Sequence, residues 1–381
     1  MKAPDNMRSW AAVDLAALER NLRAIRQALP AHLRYISVVK ANAYGHGLAP
    51  VVTRLMRARA DAFAVANLDE AERLREVGSG WPILVLSVLL PAEYEAAIRL
   101  DVQPVLSSKK EIRALAAVAQ RVGATIGIHL KIDTGMGRLG VWHSAFTSLL
   151  EEVAQFPGLS LQGICTHFAA ADEDPGYTSL QRNRFLECLK SIPDNLREGL
   201  LIHADNSAGM ESFPVKGAFN AVRVGLMQFG VRPVPGSLLQ DTRIEPVLSF
   251  HARVGLVKDI PAGMTVSYGR TWKADRPTRI AVLTAGYADG LSTRLSNRGK
   301  VLLMDQTCPI VGRVTMDQTM VDITDLAEPP GIGETATFIG KDRSHVITAS
   351  DYARDSGQIE WEVFCSLTAR TQRIYSSDSV V

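Results

Sequence analysis

The sequence predicts an α/β protein in which an N-terminal (β/α)8 barrel precedes a C-terminal, mainly β domain. The chain has 381 residues, a length that suits two domains better than one or three. Over the first two thirds, short β-branched runs alternate with stretches of helical spacing, which is typical of parallel strands joined by crossover helices. After Gly230 the apolar residues recur with period two between Pro, Gly and Asn, which is typical of β structure.

Eight strand candidates account for the first domain. Each is a short apolar run that ends in a polar cluster, and they lie at Tyr35–Val39, Ala62–Ala66, Ile83–Val88, Val102–Leu106, Thr125–Lys131, Leu161–His167, Leu200–His203 and Ala221–Gly225. Ser108 and Glu111 form a helix-start signal between two of them, and Gly123 is a helix-stop signal. Eight such units match a closed barrel. A doubly wound open sheet of the same strands is the alternative that the pattern leaves open.

The second domain is predicted to contain five strands and one short helix. The strand candidates are Leu248–Val257, Thr278–Thr284, Lys300–Leu303, Gln318–Ile323 and Thr335–Ile339, and the helix is Ala349–Asp355. A turn-rich connector near residues 231–244 separates the domains, which we set at residues 1–240 and 241–381. The N-terminal segment near residues 8–14 is expected to pair with the second domain.

Composition argues against several functional classes. The chain carries 42 Lys and Arg against 40 Asp and Glu, with no positive stripe of the kind that binds nucleic acid. The longest apolar stretch, Trp81–Leu90, has ten residues, short of the roughly 20 in a membrane helix, and we interpret it as a buried strand. With no apolar signal segment at the N-terminus and no metal-binding cysteine spacing, we expect a cytoplasmic protein with free thiols, no metal and no membrane contact.

The segment SVVKANAYGHG, residues 37–47, ends the first predicted strand with a lysine. Ile36, Val38 and Lys40 share one face of that strand, and barrel enzymes keep their chemistry at the carboxyl ends of the strands. Burial there would lower the pKa of the Lys40 amine and let it condense with a carbonyl group. From the residues alone, the alternative is a lysine that has only reached the rim.

The segment IHLKIDTGMGRLG, residues 128–140, has one apolar face and one face with His129, Lys131 and Asp133. Polar residues in a strand that is covered on both faces must find partners or line a site. The glycine-rich turn that follows would hold Arg138 above the strand end, where a guanidinium group can bind a carboxylate through two hydrogen bonds. A structural ion pair between Asp133 and Arg138 is the alternative.

Later strand ends and turns add further polar residues. We expect three more strand ends to contribute residues to the same rim. The first carries His167, the second carries His203, Asn206 and Ser207, and the third carries Arg223 and Gly225. Ser207 and the N–H groups near Gly225 would be able to hold a phosphate. Turns of the β domain carry Tyr268, Tyr287 and Met316. Taken singly, each of these residues is equally consistent with a structural role.

Together, the motifs resemble the alanine racemase family. The segments VVKANAYGHG, LKIDTGMGRLG, THFAAAD, HADNSA, RVGLMQFG, SYGRTW, GYADG and GRVTMDQTMVD occur in the order and spacing of that family, over nearly the whole chain. The resemblance implies a homodimeric enzyme that interconverts L- and D-alanine with pyridoxal 5'-phosphate and supplies D-alanine for peptidoglycan. It also implies active sites that are shared between the two subunits.

The resemblance further implies the roles of single residues. Lys40 would hold the cofactor covalently and act as one base, and Tyr268 of the other subunit would be the second base, because inversion moves a proton from one face of a flat carbon to the other. The other implied cofactor contacts are Tyr44, His167, Asn206, Ser207, Arg223, Gly225, Leu226 and Trp361. The implied substrate contacts are Arg138, Met316 and Tyr287. Lys131 is implied as a lysine that can carry a carbamate.

Trp361 departs from the family pattern, which usually has a tyrosine at this position. An indole donates one hydrogen bond but accepts none, and it is larger than a phenol. This change motivates an alternative substrate, serine or another small amino acid. A pyridoxal phosphate decarboxylase with the same domain plan is a second alternative, which the SYGRTW motif disfavours. A non-catalytic cofactor-binding barrel is a third, which the β domain disfavours.

Overall fold

The computed structural model describes residue 4 and residues 6–212, 219–233 and 239–376. All eight predicted barrel strands are confirmed, with shifted ends, and they are Arg34–Val38, Ala62–Val65, Ile83–Val85, Gln103–Leu106, Ile126–Asp133, Leu159–Cys165, Leu201–Asn206 and Ala221–Val224. Every neighbouring pair is parallel, and the last strand pairs with the first, so that Ile36 lies opposite Arg223. The barrel is therefore closed, and the open-sheet alternative is wrong.

Helices surround the barrel and connect its strands. They are Leu15–Ala28, Lys40–Tyr44, Leu48–Arg57, Leu68–Val77, Tyr94–Arg99, Lys109–Val122, Phe146–Val153, Pro175–Lys190, Asp194–Arg197 and Ser207–Ser212. The interpretation of Trp81–Leu90 as one buried strand is wrong beyond Val85, because Val88 and Leu90 are exposed. Within the described ranges, no helix combines the length and the apolar character needed to cross a membrane.

The β domain is built on one branched sheet. Its strands, which include one from the N-terminus, are Ser9–Asp14, Leu248–Ile260, Thr278–Leu283, Lys300–Leu303, Gln306–Pro309, Thr319–Asp322, Thr335–Asp342, His345–Ile347 and Gln372–Ser376, and its helices are Ala349–Ser356 and Glu360–Ser366. Two-residue strands also occur, at Val141–Trp142 beside the barrel, and at Thr265–Val266 and Trp272–Lys273 in a separate hairpin. The five predicted strands and the first helix are confirmed. The sequence prediction contains no counterpart of the second helix or of the strands Gln306–Pro309, His345–Ile347 and Gln372–Ser376.

The N-terminal strand Ser9–Asp14 joins the two ends of the chain. It pairs antiparallel with Leu248–Ile260 and parallel with Gln372–Ser376. At the connector, the Arg20 guanidinium binds Glu245 at 2.6 Å. The domain boundary at residue 240 stays a prediction, because residues 234–238 of the connector lie outside the described residues.

We predict that Phe250→Ala lowers the free energy of unfolding by about 3–5 kcal/mol, because it removes a fully buried ring that stacks on Phe338 and leaves a cavity. Chemical denaturation measures this change. Leu256→Ala on the same strand is the control, since Leu256 is 51% exposed, and its effect should stay within about 0.5 kcal/mol. Similar losses in the two variants would contradict the burial on which the prediction depends.

Candidate active site

A cavity of about 750 Å³ opens at the carboxyl ends of the barrel strands. Eleven of the predicted site residues line it, and they are Lys40, Tyr44, Lys131, Arg138, His167, Asn206, Ser207, Arg223, Gly225, Leu226 and Trp361. Three others lie elsewhere on the same chain. Tyr268 and Tyr287 line a separate cleft of about 510 Å³ on the β domain, and the side chain of Met316 is exposed. One chain thus presents two incomplete sets of predicted site residues.

A left-handed turn follows Lys40 and shapes the entrance side of the cavity. Ala41, Asn42, Ala43 and Tyr44 have φ values of 53°, 55°, 54° and 52°. This conformation costs about 1–2 kcal/mol per residue for an L-amino acid. The turn reverses the chain within five residues, so that Lys40 and Tyr44 both line the same cavity.

Side chains hold this strained turn in place. The N–H of Ala41 donates to Glu70 Oε1 at 2.6 Å, and the other carboxylate oxygen of Glu70 accepts from the N–H of Ala66 at 2.9 Å. Asn42 Oδ1 accepts from the N–H of Leu48 at 2.8 Å. Because these bonds need the left-handed backbone, they offset part of its cost.

His46 closes the turn from below. Its Nδ1 lies 2.8 Å from the carbonyl oxygen of Tyr44, and its ring packs between Phe229 and Phe364 with centroid distances of 4.4 Å and 5.0 Å. Burial lowers the pKa of His46 to about 4, so the ring is neutral at physiological pH. Since a carbonyl oxygen only accepts, Nδ1 carries the proton. At the preceding position, a Cβ on Gly45 would overlap the carbonyl oxygen of Phe364, so glycine lets the helix Glu360–Ser366 pack here.

Four cationic side chains line the cavity, those of Lys40, Lys131, Arg138 and Arg223. Burial, with the charge of Arg138, lowers the pKa of the Lys40 amine. Burial lowers the pKa of Lys131 to about 8. The carboxylates that line the cavity belong to Asp172 and Glu173, which are exposed. The cavity is therefore electrostatically suited to an anionic ligand.

Asp133 does not neutralise Arg138. One carboxylate oxygen of Asp133 accepts from the N–H groups of Gly135 and Met136 at 2.8 Å and 2.9 Å, and the other accepts from Gly137 at 2.9 Å. Among the described residues no ion pair joins Asp133 to Arg138, so the structural alternative for this segment is wrong. Asp133 instead fixes the turn that carries Arg138 to the cavity mouth.

Hydroxyl and N–H groups meet on the wall formed by Ser207 and Gly225. Ser207 Oγ accepts from the N–H of Gly225 at 3.1 Å. The N–H of Leu226 has no acceptor among the described residues. A Cβ on Gly225 would lie 2.6 Å from the Tyr44 hydroxyl, so glycine at this position leaves open the space between this wall and Tyr44.

Arg223 is buried at the centre of the site. Its terminal nitrogens donate to the carbonyl oxygens of Thr166, His203 and Ala204 at 3.0, 3.0 and 2.8 Å, and to Nδ1 of His203 at 2.7 Å and of His167 at 3.1 Å. Its Nε–H is the donor that has no partner among the described residues. The expectation that His203 lies at the rim is wrong, because the ring is fully buried beneath Arg223.

Tyr268 is presented on a rigid turn of the β domain. Its side chain is 71% exposed, whereas aromatic side chains of this size are usually largely buried. Positive φ angles at Ser267, Gly269 and Arg270, together with a 2.7 Å bond from Ser267 Oγ to the carbonyl of Arg313, fix the turn. Tyr287 in the same cleft and the adjacent Met316 are exposed as well, and exposed apolar side chains that cluster in this way are typical of an interaction surface.

Sequence reasoning missed the residues that hold Lys40 in place. Asn67 and Glu70 carry a helix-start signal, and Asn67 does accept from the N–H of Glu70 at 3.0 Å. Nothing in that signal indicates that Glu70 also reaches the N–H of Ala41 across the barrel rim. His46 lies in the segment SVVKANAYGHG, but its burial between Phe229 and Phe364 depends on distant parts of the chain.

The fold and the cavity define a two-domain barrel enzyme with an amine at the end of its first strand and a site for a small anionic ligand. The family model for the alanine racemase N-terminal domain matches residues 13–233, and the model for the alanine racemase C-terminal domain matches residues 247–375. The chain belongs to the alanine racemase family, and it is an amino-acid racemase.

Individual relatives agree over nearly the full length. The alanine racemase of Symbiobacterium thermophilum is 39% identical over 378 residues, which cover 98% of this chain and 99% of that protein. The crystal structure of alanine racemase from Bacillus anthracis with bound L-Ala-P has a TM-score of 0.89 and 34% identity, covering 99% of this chain and 97% of that one. That of alanine racemase from Bartonella henselae with covalently bound pyridoxal phosphate has a TM-score of 0.86 and 28% identity, covering 97% and 100%.

We predict that Ala41→Gly stabilises the protein by about 1 kcal/mol, because glycine adopts the left-handed conformation without the penalty of a Cβ. The same substitution at the exposed Ala117, inside the right-handed helix Lys109–Val122, should destabilise it by about 1 kcal/mol. Denaturant unfolding of both variants measures the two signs. Destabilisation in both would mean that the turn at Ala41 stores no strain.

Proposed function

We propose that this protein is a pyridoxal 5'-phosphate-dependent alanine racemase that acts as a homodimer in the cytoplasm and provides D-alanine for peptidoglycan. One observation carries the proposal. The barrel cavity holds an amine of lowered pKa at Lys40, while the exposed phenol of Tyr268 is fixed on a rigid turn outside that cavity. A racemase needs a proton-transfer group on each face of the reacting carbon, and a second subunit would bring the two groups together.

The residues of the cavity fit the cofactor. The hydroxyls of Tyr44 and Ser207 and the N–H of Leu226 suit its phosphate, and Gly225 keeps the adjoining space open. The Nε–H of Arg223 suits a ring nitrogen that accepts a hydrogen bond, and the Lys40 amine suits its aldehyde. Asn206, His167 and Trp361 complete the wall around the ring. When bound, pyridoxal phosphate withdraws electrons from the amino acid and makes its Cα–H acidic.

Arg223 would limit how strongly the ring withdraws electrons. Its guanidinium donates a hydrogen bond but keeps its proton, so the ring nitrogen would stay unprotonated. Less negative charge would then accumulate on the ring than on a cofactor ring whose nitrogen lies beside a carboxylic acid. This favours rapid return of a proton to Cα over competing reactions.

His167 is suited to assist Tyr268 of the second subunit. Because Arg223 donates to its Nδ1 at 3.1 Å, the proton of the neutral ring resides on Nε2. Burial and the surrounding cations keep the pKa of His167 well below its usual value, so it remains a neutral donor. An Nε2–H bonded to the phenol oxygen would stabilise the phenolate and so make Tyr268 a stronger acid.

Two groups are suited to bind the substrate carboxylate. They are the guanidinium of Arg138 and the backbone of Met316 from the second subunit. Arg138 is exposed at the cavity mouth, where a guanidinium group can bind a carboxylate through two hydrogen bonds. Tyr287 lines the same β-domain cleft as Tyr268 and would border the substrate. Trp361 lines the barrel side of the cavity, where its large indole would favour a substrate with a small side chain, such as the methyl group of alanine.

We predict that Lys40→Ala and Tyr268→Phe each lower the racemisation rate of alanine by a factor of about 10²–10⁴, because each removes one proton-transfer group. Co-expressed, the two variants should recover about a quarter of the wild-type activity, since half of the dimers combine one variant of each kind and each of these has one intact site. Polarimetry measures racemisation.

Tyr268→Phe should keep the visible absorption of a covalently bound cofactor, and Lys40→Ala should lose it.

The matched control co-expresses Lys40→Ala with the double variant that carries Lys40→Ala and Tyr268→Phe. No dimer of this pair holds an intact site, so activity should not recover. Recovery in the control, or none in the complementary pair, would show that the site is not shared between subunits.

We predict that Lys131 carries a carbamate whose occupancy rises with pH through about 8. Its neutral amine attacks carbon dioxide and releases a proton, and the lowered pKa of Lys131, about 8, gives a neutral fraction that grows as the pH rises. Carbon-13 NMR with labelled bicarbonate should show one protein-bound carbamate signal. Lys131→Arg is the control and should lack it, and a signal that persists in the arginine variant would place the carbamate elsewhere.

A further inference from the structure

A row of buried polar side chains lies behind Arg223, inside the barrel. His203 Nε2 is 3.0 Å from His129 Nδ1, and His129 Nε2 is 3.1 Å from Gln103 Oε1. Both imidazole rings are fully buried. They lie outside the cavity lining, and no step of the proposed function uses them.

Arg223 sets the direction of every hydrogen bond in this row. A guanidinium group only donates, so Nδ1 of His203 accepts from Arg223 at 2.7 Å and the ring proton is on Nε2. That Nε2–H donates to Nδ1 of His129, whose own proton is therefore also on Nε2. The carbonyl oxygen of Gln103 ends the row as an acceptor.

Both rings are neutral in this environment. Burial and the charge of Arg223 lower the pKa of His129 to about 3 and keep the pKa of His203 well below its usual value. The other ionisable group that acts on His203 is Lys131, which lowers the pKa of His203 further while its amine is protonated. The nearby carboxylate of Asp205 forms an ion pair with Arg182. Arg223 therefore donates only to uncharged acceptors.

The neighbouring strand leaves room for this row. Gly163 lies on Leu159–Cys165, and a Cβ at this position would overlap Nδ1 and Cε1 of the His129 ring. The glycine, the ring and the direction of the bonds are therefore consistent with one another. The glycine is also required by the next strand, because the same Cβ would lie 2.6 Å from the carbonyl oxygen of Leu201.

We propose that His129, supported by Gln103, is a positioning residue for Arg223. The row keeps Nδ1 of His203 an acceptor and so holds the guanidinium in an orientation in which its Nε–H would suit the ring nitrogen of the cofactor. The inference rests on the proposed function. Without His129, only Arg223 itself favours the proton on Nε2 of His203, and a proton on Nδ1 would point at an N–H of Arg223 and break that contact.

Nitrogen-15 NMR of the ligand-free protein with labelled histidine tests the direction of the row. Both rings are expected to carry the proton on Nε2 and to stay neutral on either side of neutral pH. A proton on Nδ1 of His203, or a charged ring, would overturn the proposal. This measurement does not depend on the cofactor.

Cofactor binding by two variants tests the positioning role. His129→Leu removes the acceptor and is expected to weaken binding of pyridoxal 5'-phosphate about tenfold. It should leave unchanged the binding of an analogue with carbon in place of the ring nitrogen. His129→Asn keeps an oxygen acceptor near the position of Nδ1 and should restore most of the lost affinity.

Gln103→Leu removes the acceptor at the end of the row and keeps both imidazole rings. It should give the same selective loss, and it provides the test if His129→Leu does not fold. The positioning role would be overturned if the binding of both ligands were weakened equally. It would also be overturned if His129→Asn bound pyridoxal 5'-phosphate as weakly as His129→Leu does. Wild-type protein that binds neither ligand would instead refute the proposed function.

Discussion

The pairing of the first and last barrel strands is the constraint on which the site depends. With Ile36 opposite Arg223, the strand that leads to Lys40 lies beside the strand that leads to Gly225. Gln228 reinforces this closure, because its side chain donates to the carbonyl of Val38 at 3.0 Å and accepts from the hydroxyl of Ser37 at 2.8 Å. Closure of the sheet therefore brings the amine, the guanidinium and the phosphate wall together, although almost two hundred residues separate them in sequence.

Backbone strain and repulsion between like charges are both concentrated near the point where the first and last barrel strands pair. Four consecutive left-handed residues and four cations in one cavity are each unfavourable, and both lie next to Lys40. The hydrogen bonds of Glu70 and the packing of His46 offset the strain of the left-handed turn, and an anionic ligand would offset the repulsion between the cations. Such local conflict inside an otherwise consistent fold is typical of functional sites.

The sequence predicted the architecture well because a barrel repeats one local pattern. Alternation of strand and helix located all eight strands, and the strand-end position of Lys40 indicated a reactive amine. Local patterns do not report which distant segments meet. Periodicity therefore placed His203 at the rim, and it gave no sign that Glu70 reaches Ala41. It also missed the strand Gln372–Ser376, which is half exposed and shows no clear alternation. The separation of Tyr268 from the cavity depends on the packing of two domains, and no local pattern encodes it.

The strand Ser9–Asp14 has a consequence for how the polypeptide is made. It leaves the ribosome well before its partners Leu248–Ile260 and Gln372–Ser376, which are synthesised more than two hundred residues later. Throughout that interval the strand is an unpaired, mostly apolar edge on a nascent chain whose barrel is already able to close. The sheet of the second domain is therefore completed only after Gln372–Ser376 has left the ribosome, and until then the unpaired edge is exposed to aggregation.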